Sequence, residues 1–159
     1  MAKVNLLTIH YGRCYGAVMQ TFATCKMLEE AGHEVTVINI IHPKLKKFFT
    51  TFNNIKQIVK EYQFYRFKRK YFSKMSTITY SINNQKLPMA DYTVVGSDQV
   101  WNRDITGTFD YAFYLDFVPN YQKRIALCSS FGKAEWNEDN DYTNSLKKEF
   151  EKFDAISIC

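Results

Sequence analysis

The sequence has few of the residues that mark metal sites and disulfide-bonded folds. It contains four cysteines and three histidines in 159 residues. The cysteines show no C-x-x-C spacing, and the histidines show no H-E-x-x-H spacing. We therefore expect reduced thiols and no metal site.

Long apolar runs are also missing. Residues 35–41 form one of the longest, and this run is far shorter than the roughly 20 residues that cross a bilayer. The N-terminal residues lead directly into a strand-like run, without the cationic leader and apolar helix of a secretory signal. These features predict a cytoplasmic protein.

Glycine and proline are scarce, with six and three residues respectively, and they form no linker-like cluster. The composition, 46% hydrophobic and 23% charged, is that of an ordinary globular protein. We therefore predict a single domain over residues 1–159.

The net charge of +5 is unevenly distributed, because residues 44–74 contain ten Lys or Arg and one acid, Glu61. Aromatic residues interleave with these cations, a pattern found in sites for single-stranded nucleic acid and for membrane surfaces. An apolar pattern also recurs at helical spacing, which favours a helix with aromatics in the core and lysines in water. It consists of Ile55, Ile58, Val59, Tyr62 and residues 65–67. On this interpretation nucleic acid is not a partner. Contact with an anionic substrate or with the inner face of the membrane stays open.

Hydrophobic strands alternate with helices along the chain, which predicts an α/β fold with a mostly parallel, Rossmann-like sheet. Helices are expected over residues 17–31 and 142–153 and within the basic segment. The predicted strands are the runs rich in branched apolar residues, at 4–10, 35–40, 92–96, 124–130 and 155–159.

Three of these strands run into polar or glycine-bearing segments: "HYGRCYGA" after the first, "GSDQVWN" after the third and "SSFG" after the fourth. Parallel strands end at one edge of a sheet, so these segments should frame a shared crevice. Gly12 and Gly16 would let a ligand approach the backbone, and the helix beginning near Ala17 offers free N–H groups to an anion. The spacing "GRCYG" matches neither the dinucleotide-binding motif nor the P-loop.

The segment after the third strand contains side chains suited to a polyol. Asp98 can accept a proton from a hydroxyl, Trp101 can stack on a sugar ring, and Gln99 and Asn102 can donate and accept hydrogen bonds. Structural roles stay open for the same residues. Ser97 or Asp98 can cap a turn, and Trp101 can be a core or lid aromatic.

These segments together resemble the polysaccharide pyruvyl transferase family. The matching features are "YGAVMQTFATCKMLEEAGHEVTVINI", the basic aromatic helix, "ADYTVVGSDQVWN", "FYLDFVPNYQKRIALCSSFG" and "FEKFDAISI", in that order along nearly the whole chain.

The resemblance implies the N-terminal half of a GT-B-like two-domain enzyme. Such an enzyme transfers pyruvate from phosphoenolpyruvate to two hydroxyls of a free or lipid-linked sugar, as a ketal in cell-surface polysaccharide synthesis. It needs no further cofactor. On this hypothesis Asp98 is the candidate catalytic residue, and eight residues are candidates for substrate binding: Gly16, Ala17, Gln20, Ser97, Gln99, Trp101, Asn102 and Ser130.

Two departures from the family pattern affect this expectation. Cys14 stands where the family usually has asparagine, and the match runs to "ISIC" at Cys159, where members continue into a second domain. We therefore expect a truncated chain that is inactive alone. Two alternatives remain: a non-catalytic carbohydrate-binding remnant, and half of a GT-B glycosyltransferase that uses a nucleotide sugar.

Overall fold

The chain forms a five-stranded parallel sheet in the computed structural model, which describes residues 1–11, 14–40, 55–72, 74–78 and 87–158. The strands are β1 (Lys3–Leu7), β2 (Glu34–Val37), β3 (Tyr92–Asp98), β4 (Lys123–Ser129) and β5 (Ala155–Ile158). Their order across the sheet is β2-β1-β3-β4-β5, and every neighbouring pair is parallel. The predicted α/β, Rossmann-like fold is confirmed.

Helices connect the strands and lie on both faces of the sheet. They are α1 (Tyr15–Glu30), α2 (Ile55–Tyr71), α3 (Arg103–Thr106), a 3₁₀ helix (Gly107–Tyr114) and α4 (Asn140–Phe150). The sequence patterns did not predict α3 or the 3₁₀ helix. None of the described helices is long and apolar enough to cross a membrane.

Side chains that point alternately to the two faces of the sheet divide the core into two layers. On β3, Val94 packs on one face with α1 and α2, and Val95 packs on the other with the 3₁₀ helix and α4. Successive side chains of a strand point to opposite faces, so a strand covered on both faces consists of consecutive apolar residues. This accounts for the uninterrupted hydrophobic runs of the central strands.

The predicted helix over residues 17–31 is present as α1, and its apolar side chains pack on the sheet at helical spacing. Val18 and Cys25 are buried against the sheet, and Phe22 and Leu28 pack partly against the same cluster. The helix ends at Glu30, and Gly32 follows with φ of 86°, a left-handed conformation that glycine adopts readily.

The packing of α2 corrects the expectation that the aromatic residues of this helix lie in the core. Phe64 of the helix and Phe72 directly after it are buried, but Val59, Tyr62 and Tyr65 are 51%, 58% and 51% exposed. The side chains of Ile55 and Ile58 lie outside the described residues. The regularly spaced apolar and aromatic residues therefore lie on two faces of the helix. The phenylalanines occupy the core-facing one, and the tyrosines share the solvent-facing one with basic residues.

Candidate functional site

An open crevice of about 420 Å³ lies at the carboxyl edge of the sheet, between the start of α1 and the ends of β3 and β4. The chain order of the strands changes direction between β1 and β3, and this is the position where open parallel sheets bind ligands. The convergence predicted from three strand ends is therefore present in the fold. The lining residues are Cys14, Gly16, Ala17, Gln20, Ser97, Asp98, Gln99, Cys128 and Ser130. Gly12, which the sequence also suggested, lies outside the described residues.

One wall of the crevice is the N-terminus of α1. Cys14 is the N-cap residue, and its side chain makes no capping hydrogen bond. The first N–H groups of a helix have no partner within the helix, and they lie at the positive end of the helix dipole. Gly16 is exposed, and among the described residues outside its own helix a Cβ at this position would meet only Cys14 Sγ, at 3.7 Å. The absent side chain therefore leaves this wall open.

Gln20 joins α1 to the end of β1. Its Nε2 donates to Thr8 Oγ1 at 2.8 Å and to the Ile9 carbonyl oxygen at 3.1 Å. Its Oε1 is buried, with no hydrogen-bond partner among the described residues. The amide nitrogen therefore holds the helix in place against the end of β1.

Asp98 ends β3 on the facing wall. One carboxylate oxygen accepts a hydrogen bond from its neighbour's backbone, Gln99 N, at 2.7 Å. The turn-capping role that the sequence left open is thus present. The structure records no partner for the second oxygen among the residues it describes, so Asp98 can hold the turn and still accept a proton or a hydroxyl.

Tyr11 was missed by the sequence reasoning, although it lies within the quoted "HYGRCYGA" segment. Burial and the negative charge of Asp98 raise the pKa of the Tyr11 phenol to about 12. The phenol therefore stays protonated at neutral pH and lies within electrostatic range of the carboxylate. No sequence spacing links two residues so far apart; only the pairing of β1 with β3 brings them together.

Two glycines fix the geometry of the wall formed by β3 and β4. Gly96 has φ of 111°, and a Cβ there would overlap the Leu127 carbonyl oxygen and lie 2.5 Å from Ser129 Oγ. Gly132 has φ of 63°, and a Cβ there would overlap the end of the Gln99 side chain. The peptide bond between Gly96 and Ser97 is cis. Glycine therefore permits both the close approach of the two strands and the position of Gln99.

The environment of Trp101 differs from the one that stacking on a sugar would need. Its side chain is 2% exposed, and its indole N–H donates to the Phe113 carbonyl oxygen at 3.1 Å. The ring stacks on Tyr114 at 6.0 Å and meets Phe150 edge to face at 4.8 Å. A buried indole has no free face for a sugar ring, so the sugar-stacking role does not fit and the core role does.

Asn102 also lies behind the crevice wall rather than on it. Its Oδ1 accepts from Asp104 N at 3.1 Å as the N-cap of α3, and its Nδ2 donates to Gln99 Oε1 at 3.1 Å. Both ends of the amide are bonded within the protein and the residue is buried. The predicted substrate-binding role therefore does not fit, and Asn102 acts by holding Gln99 and starting α3.

The charged groups on the crevice wall indicate which kinds of ligand the crevice can bind. Asp98 is the one acidic side chain on its wall, and no lysine or arginine lines it among the residues described. The same part of the chain holds no group of three His, Cys, Asp or Glu suited to a metal ion. Hydroxyl, amide and carboxylate groups recognise a polyol, whereas a phosphate on this wall would depend on the N-terminus of α1.

The parallel sheet and the crevice at its change of strand order define a Rossmann-like α/β protein with a candidate ligand site at the carboxyl edge. The family model described as Polysaccharide pyruvyl transferase matches residues 15–158. The chain belongs to this family, and the resemblance seen in its sequence is confirmed. Neither the curated proteins nor the solved structures contain a significant match.

Proposed function

We propose that the crevice binds the acceptor of a pyruvyl transfer reaction, a sugar with two free hydroxyls, and that phosphoenolpyruvate is the donor. Family membership implies a polysaccharide acceptor. The observation that carries the proposal is the set of polar groups at the switch between β1 and β3: the Asp98 carboxylate, the Ser97 and Ser130 hydroxyls and the Gln99 amide.

Asp98 is the proposed acceptor for the proton of the attacking hydroxyl. In the reaction, the methylene carbon of phosphoenolpyruvate gains a proton, and one sugar hydroxyl attacks the resulting electrophilic carbon as its own proton passes to Asp98. Phosphate then leaves, and the second hydroxyl closes the ketal with loss of its proton. The protonated Tyr11 phenol lies within electrostatic range of the same carboxylate.

The wall described here supplies the acceptor side of this reaction. Phosphoenolpyruvate carries a phosphate and a carboxylate, which cationic groups stabilise as charge develops. Because no lysine or arginine lines the described part of the crevice, we propose that the donor's cationic partners lie outside this wall. We expect the 159-residue chain alone to bind the sugar without releasing phosphate.

The test measures two quantities with a panel of methyl hexosides: sugar binding by calorimetry and phosphate release from phosphoenolpyruvate. Both are measured for the chain and for the complete product of its gene, and mass spectrometry checks the product for a pyruvate ketal. Asp98→Asn should lower acceptor-dependent phosphate release by about 10²- to 10⁴-fold, because the amide cannot accept the proton.

Asp104→Asn is the matched control, since it removes an exposed acid six residues away on α3 and should leave turnover unchanged. Full activity of Asp98→Asn would contradict the role of Asp98. Sugar binding without turnover by the complete gene product would favour a carbohydrate-binding protein. Transfer that requires a nucleotide sugar would identify a glycosyltransferase instead.

A further inference from the structure

The solvent-facing stripe of α2 combines positive charge with aromatic surface. Val59, Tyr62, Arg66, Arg69 and Lys70 are spaced by three, four, three and one residues, which places them on one side of a helix. Tyr65 lies beside them, and all six residues are exposed. We call these six residues the α2 stripe.

The cations of the stripe contact aromatic rings rather than acids. Arg66 lies 5.9 Å from the centre of the Tyr62 ring, Arg69 lies 5.8 Å from that of Tyr65, and Lys70 lies 5.0 Å from that of Tyr71. Within the described residues, none of these three cations pairs with a carboxylate. Among the described residues, their charges are therefore not neutralised by acids, and this part of the helix surface presents positive charge to solvent.

The tyrosines of the stripe are not needed to attach the helix. The opposite side of α2 supplies that packing through Phe64 and Phe67, and Phe72 directly after the helix packs in the same cluster. Phe67 meets Phe22 of α1 edge to face, with ring centres 5.9 Å apart. Exposed tyrosines on a helix already anchored by phenylalanines are amphipathic groups, with an apolar ring and a polar hydroxyl. Such groups suit an interface that is apolar on one side and wet on the other.

An apolar groove of about 320 Å³ extends from α2 to α1. It is lined by five apolar or aromatic side chains and one amide: Tyr15, Val18, Met19, Phe64, Phe67 and Gln63. Lys60 lies 5.3 Å from the centre of the Tyr15 ring, at the edge of this groove. Tyr15 also precedes Gly16 and Ala17 of the crevice, so α1 connects the groove to the proposed acceptor site.

We propose that the α2 stripe and the adjoining groove dock the protein onto an anionic lipid surface. Cations near such a surface gain attraction to the headgroups, and tyrosine and methionine side chains can enter the boundary between headgroups and acyl chains. Single-stranded nucleic acid would instead need free ring faces along a cationic track. Here the rings already carry cations of the same helix, and the adjoining concavity is apolar.

Binding to vesicles tests this proposal directly. The chain should sediment with phosphatidylcholine vesicles that contain phosphatidylglycerol, and raising the salt concentration should release part of it by screening the cations. Pure phosphatidylcholine vesicles should bind it at least tenfold more weakly. This measurement needs no enzymatic activity, so its failure is distinct from failure of the proposed pyruvyl transfer.

Charge reversal on the stripe should remove the binding. Arg69→Glu with Lys70→Glu should weaken association with the anionic vesicles by about 30-fold or more, because each cation near the surface contributes attraction. The matched control is Lys147→Glu with Lys148→Glu, which reverses two exposed lysines of α4 and gives the same net charge. Circular dichroism checks that both variants are folded.

The contribution of the rings is tested separately. Tyr62→Ala with Tyr65→Ala should weaken vesicle binding by about threefold to tenfold, whereas Tyr121→Ala, at an 85% exposed tyrosine elsewhere, should not change it. Equal losses in the α2 and α4 charge variants would overturn the proposal, as would failure to bind the anionic vesicles. Tighter binding of a fluorescent oligonucleotide, lost in the α2 variant alone, would also overturn it and assign the stripe to nucleic acid.

Discussion

The two halves of the segment "SDQVWN" have opposite environments. Ser97, Asp98 and Gln99 line the crevice, whereas the next three residues, Val100, Trp101 and Asn102, are buried behind it. The change occurs over one peptide bond, where β3 has ended and the chain turns toward α3. A single motif therefore contains both a candidate site and the packing that supports it, and adjacent residues in it need different explanations.

The buried half should control stability. Trp101→Ala should lower the free energy of unfolding by about 3–5 kcal/mol, because it leaves a cavity among Tyr114, Phe131 and Phe150. Ser97→Ala, in the other half, should change it by about 0.5 kcal/mol or less. Urea denaturation monitored by circular dichroism measures both. Similar losses for the two variants would remove the distinction between the halves.

The end of β1 extends this comparison, because His10 follows that strand and is fully buried. Its ring nitrogens lie 3.1 Å from the Thr8 carbonyl oxygen and 3.2 Å from Asn39 Oδ1. Burial lowers the pKa of His10 from 6.5 to about 4, with a smaller contribution from the charge of Lys68. The histidine is therefore neutral in the folded protein at neutral pH.

This pKa predicts a dependence of stability on pH. The unfolded chain gains a proton on His10 below about pH 6.5 and the folded chain does so only near pH 4. Stability is therefore fully present above pH 6.5 and is lost as the pH falls toward 4, by about 3 kcal/mol in total. Urea denaturation of the wild type and His10→Gln across this range measures the effect. Their difference should shrink as the pH falls, and a constant difference would refute the prediction.

Replacement of Asn102 should have a smaller effect on stability than replacement of Trp101 or protonation of His10. Asn102→Ala removes the N-cap of α3 and the bond to Gln99 Oε1, and should cost about 1 kcal/mol in the free energy of unfolding. Asn102→Asp keeps an acceptor for Asp104 N and should recover most of this loss. A loss of sugar affinity in Asn102→Asp without any loss of stability would support the substrate-binding role first predicted for Asn102.

The strands and helices show which parts of the fold can be predicted from sequence patterns. The branched apolar runs predicted all five strands, with boundaries displaced by a few residues, because a parallel strand covered on both faces must be apolar throughout. They missed α3 and the 3₁₀ helix, since short helices are set by local caps and by packing rather than by periodicity. The structure also assigned the aromatics of α2 to two faces, which the helical spacing alone had merged into one.

Within the site, the sequence predicted the crevice correctly but not the orientation of each side chain. It placed Asp98 and Gly16 at the same edge because parallel strands end together. It could not separate Gln99 from Asn102, since both are amides in one turn. It also did not identify Tyr11, because the proximity of this residue to Asp98 depends on the pairing of strands far apart in the chain.

The sequence by itself determined the family, the parallel sheet and the edge at which polar groups collect, because each follows from residue order and apolar content. Only the tertiary structure decided which of those groups face a ligand. Burial and hydrogen bonding are properties of contacts between distant segments, and they place Trp101 in the core while leaving Asp98 on the crevice wall.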